Sequence, residues 1–239
     1  MVFSGETILS MPRIASIATM PTRFEGFEQT LNSMLPQVDH VFVYLDNFQS
    51  VPVFLNGNPK ISTFRMEELG NLHASSRFLA LSRLEKPSIL LLFDDDIIYP
   101  PDHASTLASV LAEAHGRALV GVHGRVFMPP HVSYIRDALC FHLRAELRQH
   151  AHVHELGAGT CAFISSLFDF DVTRWSHNDM DDILLSIEAQ KRSIPRVAVR
   201  RPAGWLRAQA ENQPDSLWEK TKRDDRVQSE QMRFLLKLY

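Results

Sequence analysis

The sequence predicts a mixed α/β fold with a mostly parallel central sheet and helices on both faces. In the first half of the chain, strand patterns alternate with helix patterns, which is the order typical of parallel sheets. One strand, at residues 88–93, is almost entirely apolar, as expected for a strand covered on both faces. The chain has 239 residues, of which 45% are hydrophobic, and this is enough to bury a substantial core in one large unit.

The elements of the first half follow from apolar spacing and from turn residues. Strands are predicted at 13–19, 40–45, 61–64 and 88–93, and helices at 24–35, 74–84 and 101–114. Pro21 ends the first strand, while Pro36 and Pro87 follow the first two helices. Pro101 suits the first turn of the third helix.

The second half is less regular. Strands are predicted at 118–127, 161–164 and 196–199, with an amphipathic helix at 180–191. The tail from residue 214 onward is predicted to be polar and then helical. Residues 134–148 form either a helix or an irregular excursion. A soft boundary near residue 125 therefore separates a regular half from an irregular one.

Composition excludes several classes of protein. The formal net charge of −3, without a strongly basic block, gives no basis for nucleic-acid binding. The longest apolar run, Ile89 to Phe93, is far too short to span a bilayer, and the N-terminus lacks the pattern of a signal peptide. Two cysteines do not make a disulfide framework. We expect a cytoplasmic protein whose only membrane contact is peripheral, at the inner face.

Three consecutive carboxylates, Asp94, Asp95 and Asp96, follow the most apolar strand. In open parallel sheets, ligands bind beyond the carboxyl ends of the strands. Adjacent carboxylates repel one another unless a cation lies among them, and Mg²⁺ or Mn²⁺ prefers oxygen ligands. The pattern indicates a divalent-cation site that could bridge a diphosphate. The alternative is a solvated acidic turn.

Further polar residues follow the neighbouring strands. Thr19, Met20 and Arg23 come after the first strand, where backbone groups and a guanidinium could contact a nucleotide base and a diphosphate. Asp46 ends the second strand and could accept a hydrogen bond from the base or the ribose, or simply form a turn. Arg77 could face the diphosphate or lie on the surface.

Taken in order, these pieces resemble the GT-A glycosyltransferases, particularly the family 2-like group. The resemblance runs from residue 13 to about residue 200 and rests on Thr-Met-Pro-Thr-Arg at 19–23, Val-Tyr-Leu-Asp at 43–46, residues 70–77, the acidic segment at 93–102, and Asn-Asp-Met-Asp-Asp-Ile at 178–183. It implies a GT-A, Rossmann-like fold. It also implies that Asp94 or Asp95 approaches the nucleoside and that Asp96, with Asp94, ligates Mn²⁺ or Mg²⁺.

The late acidic segment of such enzymes opens a helix and supplies the base that deprotonates the acceptor hydroxyl. Here the resemblance favours Asp181 as the base, with Asp182 second, and it implies inversion at the anomeric carbon. The usual Glu-Asp start of the motif is replaced by Asn178-Asp179, so two registers remain open. Carboxylates at a helix start can also serve only as caps.

The resemblance implies a metal-dependent glycosyltransferase that moves a sugar from a nucleotide-sugar donor, with UDP the commonest nucleotide, to a hydroxyl of a glycan or another acceptor. Residues 1–125 would form the donor-binding half, 126–213 the acceptor half and 214–239 a helical tail of a single catalytic domain. Three alternatives stay open: a phosphatase or phosphotransferase of the haloacid dehalogenase type with Asp94 as nucleophile, a nucleotidyltransferase, and a non-catalytic sugar- or calcium-binding module.

Overall fold

The structure, a computed structural model, describes residues 3–70, 72–209 and 217–239. Its strands, in chain order, are β1 (Arg13–Thr19), β2 (His40–Leu45), β3 (Ile61–Arg65), β4 (Ile89–Phe93), β5 (Ile97–Ile98), β6 (Leu119–Gly121), β7 (Gly124–Phe127), β8 (Ala138–Phe141), β9 (Ala151–His152), β10 (Glu155–Leu156), β11 (Cys161–Ile164), β12 (Arg196–Ala198) and β13 (Arg207–Ala208). The α-helices are α1 (Gly5–Leu9), α2 (Phe24–Met34), α3 (His103–Glu113), α4 (Asp181–Lys191), α5 (Leu217–Arg223) and α6 (Arg226–Lys237).

The central sheet has the strand order β3-β2-β1-β4-β11-β6-β12-β9. Strands β1 to β4 run parallel to one another, and β12 runs parallel to β6, whereas β11 is antiparallel to both β4 and β6. The predicted mostly parallel sheet is therefore confirmed. Because β1, β2 and β4 are parallel neighbours, the residues that follow them meet at one edge of the sheet.

Alternate residues of β4 pack into different layers, as strand geometry requires. Leu91 and Phe93 join a core cluster that contains Phe27 and Leu31 of α2 and residues of α3. Leu90 and Leu92 join a second cluster with Phe78 and with residues of α4. The apolar composition of β4 therefore reflects burial against helices on both faces of the sheet.

Three predicted elements differ in detail. The strand expected at 118–127 is two strands, because β6 stays in the central sheet whereas β7 pairs with β8 and β10 in a separate three-stranded sheet. Residues 134–148 contain β8 and turns, which settles that segment as irregular. The helix expected at 74–84 is a 3₁₀ helix, His73–Arg83.

The C-terminal segment packs on the body of the protein. Met232 and Leu235 of α6 are fully buried, in one cluster with Ile183 and Ile187 of α4. Of the tail predicted from residue 214 onward, residues 214–216 lie outside the described residues. Within the described parts of the chain, no helix combines the length and the apolar character needed to cross a membrane.

His103, at the start of α3, is a buried histidine enclosed by Phe93, Tyr99 and Trp205. Burial lowers its pKa from 6.5 to about 3. Between these two values the unfolded chain binds a proton that the folded protein excludes. The His103 contribution to the free energy of unfolding therefore falls as the pH falls from 6.5 towards 3, by up to about 1.4 kcal/mol per pH unit.

We expect His103→Leu to flatten the acid side of the stability curve by this amount, because the replacement cannot titrate. Urea unfolding at several values of pH between 4 and 7 measures the slope. His152→Leu, at an exposed position, is the control and should keep the wild-type slope. An unchanged slope in His103→Leu would contradict the buried, neutral state of this ring.

Candidate functional site

A cavity of about 490 Å³ lies at the carboxyl edge of the parallel strands. The residues singled out in the sequence all line it: Thr19, Met20, Arg23, Asp46, Arg77, Asp94, Asp95, Asp96, Asp181 and Asp182. They come from segments that lie far apart in the chain and are brought together by the parallel order of β1, β2 and β4 and by the start of α4. Their placement in one cavity is established, whereas their roles remain predictions.

On one side of the cavity, Asp46 follows β2 and is held in a fixed orientation. Its backbone N–H donates to the Thr19 carbonyl oxygen at 2.9 Å, and its Oδ2 lies 2.9 Å from Nδ1 of His73. The other carboxylate oxygen, Oδ1, is buried and accepts no hydrogen bond from any described residue. Because a buried acceptor without a donor is costly, this oxygen is available to a ligand's N–H or O–H group.

Arg77 lines the cavity and is nearly fully buried. Its Nη1 donates to Oδ1 of Asp94 at 2.8 Å, and its Nε lies 3.2 Å from Oδ2 of Asp181. Burial alone would lower the pKa of Arg77, but the two carboxylates outweigh it and raise the pKa. The guanidinium thus joins the mid-chain and the late acidic segments, and the surface alternative for Arg77 is wrong.

Asp94 approaches the backbone of the neighbouring segment very closely. A Cβ added at Gly159 would lie 1.9 Å from Cγ of Asp94, so only glycine fits there. The backbone N–H of Asp94 is shared between the hydroxyl of Tyr99, at 2.9 Å, and the carbonyl oxygen of Gly159, at 3.2 Å. The Tyr99 hydroxyl in turn donates to the Gly159 carbonyl oxygen at 2.5 Å. These contacts fix where the acidic segment leaves β4.

Gly159→Ala is therefore expected to displace the Asp94 carboxylate from Arg77, with a loss of about 1–3 kcal/mol in the free energy of unfolding. Thermal or urea unfolding gives this value. Gly5→Ala is the matched control, because a Cβ there meets its nearest neighbour at an ordinary 3.7 Å. Equal stability of the two variants would show that the close approach has been overstated.

The ionised forms of Asp95 and Asp96 are disfavoured in the folded chain. Burial, with the neighbouring carboxylate of Asp94 adding to it, raises the pKa of Asp95 to about 6 and that of Asp96 to about 7. Among the described residues, no group of three or more His, Cys, Asp or Glu side chains is arranged to hold a metal ion. Mg²⁺-type ions are commonly held by one or two carboxylates, with waters and substrate phosphates completing the shell. The carboxylates of Asp94 and Asp96, which line the cavity, fit a cation held in this way.

The late carboxylates open α4 and face the same cavity. Oδ1 of Asp182 accepts from the backbone N–H of Ala158 at 2.7 Å, which draws this side chain towards the sheet. Asp181 lies against Arg77 and is almost fully buried. Burial raises the pKa of both carboxyls. At Asp182, the negative charges of Asp181 and Glu155 raise the pKa further, whereas at Asp181 the positive charge of Arg77 opposes the increase.

Several lining residues could not be recognised from the sequence. His73 pairs with Asp46 although it lies 27 residues away, and its backbone has a positive φ of 46°. Trp218 and Lys220 of α5 also line the cavity, so the C-terminal tail contributes to its wall. Histidine, tryptophan and lysine at these positions belong to no motif, and only the tertiary fold brings them to the site.

The comparisons with known proteins bear on the fold. No protein-family model and no curated protein sequence matches the chain. A crystal structure described only as that of a mycobacterial protein is similar over 84% of this chain and 70% of that chain, at 14% identity and a TM-score of 0.51. The Rossmann-like α/β fold with a mostly parallel central sheet that the sequence predicts is confirmed. At this level of identity, the similarity concerns the fold alone.

Other solved structures are similar at a lower level. One is glucosyl-3-phosphoglycerate synthase from Mycobacterium tuberculosis in complex with Mn²⁺, UDP-glucose and phosphoglyceric acid, at 13% identity and a TM-score of 0.45. Another is the same synthase in complex with UDP, at 13% identity and a TM-score of 0.45. Each match covers 68% of this chain and 60% of the synthase chain, so the present chain matches about three fifths of that enzyme's length.

Proposed function

We propose that this protein is a metal-dependent glycosyltransferase that moves a sugar from a nucleotide-sugar donor, UDP-linked in the first instance, to a hydroxyl group of an acceptor. The observation that carries the proposal is the single cavity lined by residues from the ends of β1, β2 and β4 and from the start of α4. Such an edge is where open α/β sheets bind nucleotides and their substrates.

The nucleotide would occupy the side of the cavity formed by the segments after β1 and β2. There, Oδ1 of Asp46 is a buried acceptor suited to a base imide or a ribose hydroxyl. Thr19 and Met20 line the same wall and provide backbone groups, and Arg23 adds a positive charge beside the acidic segment. A guanidinium at this point can pair with diphosphate oxygens.

A divalent cation, Mn²⁺ or Mg²⁺, would be held by Asp94 and Asp96, with Asp95 next to the nucleoside. When bound, it supplies positive charge against the negative charge that develops on the leaving diphosphate. The raised pKa values of Asp95 and Asp96 support a cation here, because its charge would offset the burial and the mutual repulsion that disfavour the ionised carboxylates. Arg77 holds the Asp94 carboxylate in place for this role.

In the transfer step, the acceptor oxygen attacks the anomeric carbon and the bond from that carbon to the diphosphate breaks. Asp181 takes the proton of the acceptor hydroxyl, and the nucleoside diphosphate leaves with the bonding electron pair. Burial raises the pKa of Asp181 towards the range that suits a general base. Asp182 is the second candidate; its hydrogen bond from Ala158 directs one oxygen towards the backbone. Direct displacement of this kind inverts the anomeric centre.

The haloacid dehalogenase alternative draws less support from the site. It requires Asp94 as a nucleophile, and one oxygen of the Asp94 carboxylate already accepts a hydrogen bond from Arg77. A nucleotidyltransferase would need no carboxylate at the position of Asp181. Neither alternative accounts for the late acidic segment in the same cavity as the mid-chain one.

Incubation with a panel of nucleotide sugars and Mn²⁺ tests the proposal. We expect slow release of a nucleoside diphosphate from one donor, since water can replace the acceptor. Release of phosphate from simple phosphate esters, with no nucleotide sugar consumed, would favour the phosphatase alternative. No turnover of either substrate class, with sugar or Ca²⁺ binding retained, would favour a binding module.

A further inference from the structure

A second, smaller cavity of about 120 Å³ continues from the main one past the start of α4. The two cavities share the walls formed by Asp181, Asp182 and Trp218, while Arg125 and Tyr134 line only the smaller one. Since a water occupies about 30 Å³, the space holds roughly four waters. It can accommodate one edge of a ligand whose remainder lies in the main cavity.

Arg125 is the unusual residue of this cavity. Its side chain is only 9% exposed, yet Nη1 has no hydrogen-bond acceptor among the described residues. The guanidinium lies 4.4 Å from the ring centroid of Tyr134 and 5.2 Å from that of Trp218, and its Nε is 3.7 Å from a carboxylate oxygen of Glu155. A buried N–H without an acceptor is destabilising, so a bound ligand would supply the missing oxygen.

The negative charges around Nη1 of Arg125 favour an uncharged ligand oxygen over an anionic one. Asp179, Asp181 and Asp182 line the cavity, and the Glu155 carboxylate already accompanies Arg125. A phosphate or carboxylate would therefore be repelled by more carboxylates than Arg125 can offset. A hydroxyl group meets both demands, because its oxygen accepts from Arg125 while its hydrogen is donated to a carboxylate.

Trp218 provides the matching apolar surface. The residue is 44% exposed and lines both cavities, as do Asp181 and Asp182, and the Arg125 guanidinium and Nζ of Lys222 lie 5.2 Å and 6.0 Å from its ring centroid. Aromatic rings at such positions pack against apolar faces while polar groups around them fix the orientation. A pyranose ring has this combination of C–H faces and hydroxyl edges.

We infer that the acceptor is a neutral sugar whose ring packs on Trp218 and whose hydroxyl accepts a hydrogen bond from Nη1 of Arg125. The inference rests on the proposed transferase function, since it places the acceptor beside the carboxylate that would remove its proton. It assigns Arg125 and Trp218 as acceptor-binding residues and excludes phosphorylated and carboxylated sugars as good acceptors.

Pairs of acceptors that differ only in charge test this inference. Methyl pyranosides of common hexoses are compared with the matching methyl uronides and 6-phosphates, in the presence of Mn²⁺ and the donor that the full-length protein hydrolyses. We expect transfer to at least one neutral member, with kcat/KM at least about tenfold above that of its charged partners. Transfer only to charged members, or to no member of the panel while the donor is still hydrolysed, overturns the inference and leaves the proposed function standing. Absence of any donor hydrolysis would contradict both the inference and the proposed function.

Two variants separate acceptor binding from folding. Trp218→Ala is expected to raise the KM for the neutral acceptor about tenfold, and by a larger factor than the KM for the donor. Phe234→Ala is the matched control, because Phe234 is equally exposed, at 44%, on α6 but lines neither cavity. Arg125→Lys, which keeps the charge but not the planar fork, should also raise the acceptor KM. If both site variants leave the acceptor KM at the level of the Phe234→Ala protein, the assignment fails.

Discussion

Asp181→Asn is expected to reduce the rate of sugar transfer by about 10²–10⁴-fold, the usual contribution of a general base. Asparagine matches the shape of the aspartate but cannot take a proton at neutral pH. Metal-dependent binding of the donor should persist, because Asp181 is not one of the proposed metal ligands and Arg77 keeps its hydrogen bond to Asp94. Single-turnover rates and isothermal titration with the nucleoside diphosphate and Mn²⁺ measure the two quantities separately.

The neighbouring carboxylates provide the controls for this experiment. Asp179 is exposed and lines the same cavity, and it is the base if the other register of the late acidic segment applies. We expect Asp179→Asn to reduce the rate of transfer by less than about tenfold. Asp182→Ala, which removes the acceptor of the Ala158 N–H, should reduce it by more than that. A larger loss in Asp179→Asn than in Asp181→Asn would move the base to the other register.

The pH dependence of transfer provides a second check on the base. Burial raises the pKa of Asp181, so the unprotonated form that accepts the proton is lost as the pH falls through this raised value. The rate of transfer should therefore fall on the acid side at a higher pH than an ordinary aspartate would give. The acid limb should disappear, along with most of the rate, in Asp181→Asn.

The parts of the fold that the sequence predicted are those with local signals. Parallel order follows from alternating strands and helices, and the apolar run of β4 has few interpretations other than burial on both faces. The break between β6 and β7 carried no such signal. Residues 118–127 were predicted as one strand, and only the pairing of β7 with β8 and β10 separates the second part from the central sheet.

The candidate site likewise contains residues that the sequence predicted and residues that it did not. Asp46 and Asp94 were found because polar residues at strand ends are visible in the sequence. The partner of each was not predictable: His73 and Gly159 reach them only in the folded chain. Arg77 shows the limit clearly, since its burial between two carboxylates reverses the expectation for an isolated arginine.

Trp218 shows why the cavity wall built by the C-terminal segment was less predictable than the wall at the ends of the strands. No strand ends near it, and its position depends on how α5 and α6 pack on the body, which the apolar spacing of α6 indicates but does not orient. Acceptor sites built on such segments are defined by tertiary packing. Donor sites at the edge of a parallel sheet are defined by topology, which sequence patterns reveal more readily.

Asp96→Ala is expected to abolish metal-dependent donor binding, with a loss of more than about 100-fold in the affinity for the nucleoside diphosphate in Mn²⁺. Replacement of a residue that only hydrogen-bonds to a metal ligand typically lowers the metal affinity about 10–100-fold, and removal of a ligand itself should lower it further. Asp96 is the stronger candidate within the acidic segment, because Arg77 already neutralises Asp94. The Asp96 backbone oxygen accepts from the Gln209 N–H at 2.7 Å, which holds the residue at the wall of the cavity.

Asp102→Ala is the control for this loss, since it removes an aspartate six residues further on that lines neither the main cavity nor its smaller extension. Titration of each variant with the nucleoside diphosphate, with and without Mn²⁺, separates loss of the cation from loss of the nucleotide. Asp96→Ala should bind the nucleotide with the same weak affinity in both conditions, whereas Asp102→Ala should keep the Mn²⁺-dependent gain. If Asp96→Ala keeps that gain and Asp94→Ala loses it, the cation is held mainly by Asp94, and Arg77 then orients a metal ligand directly.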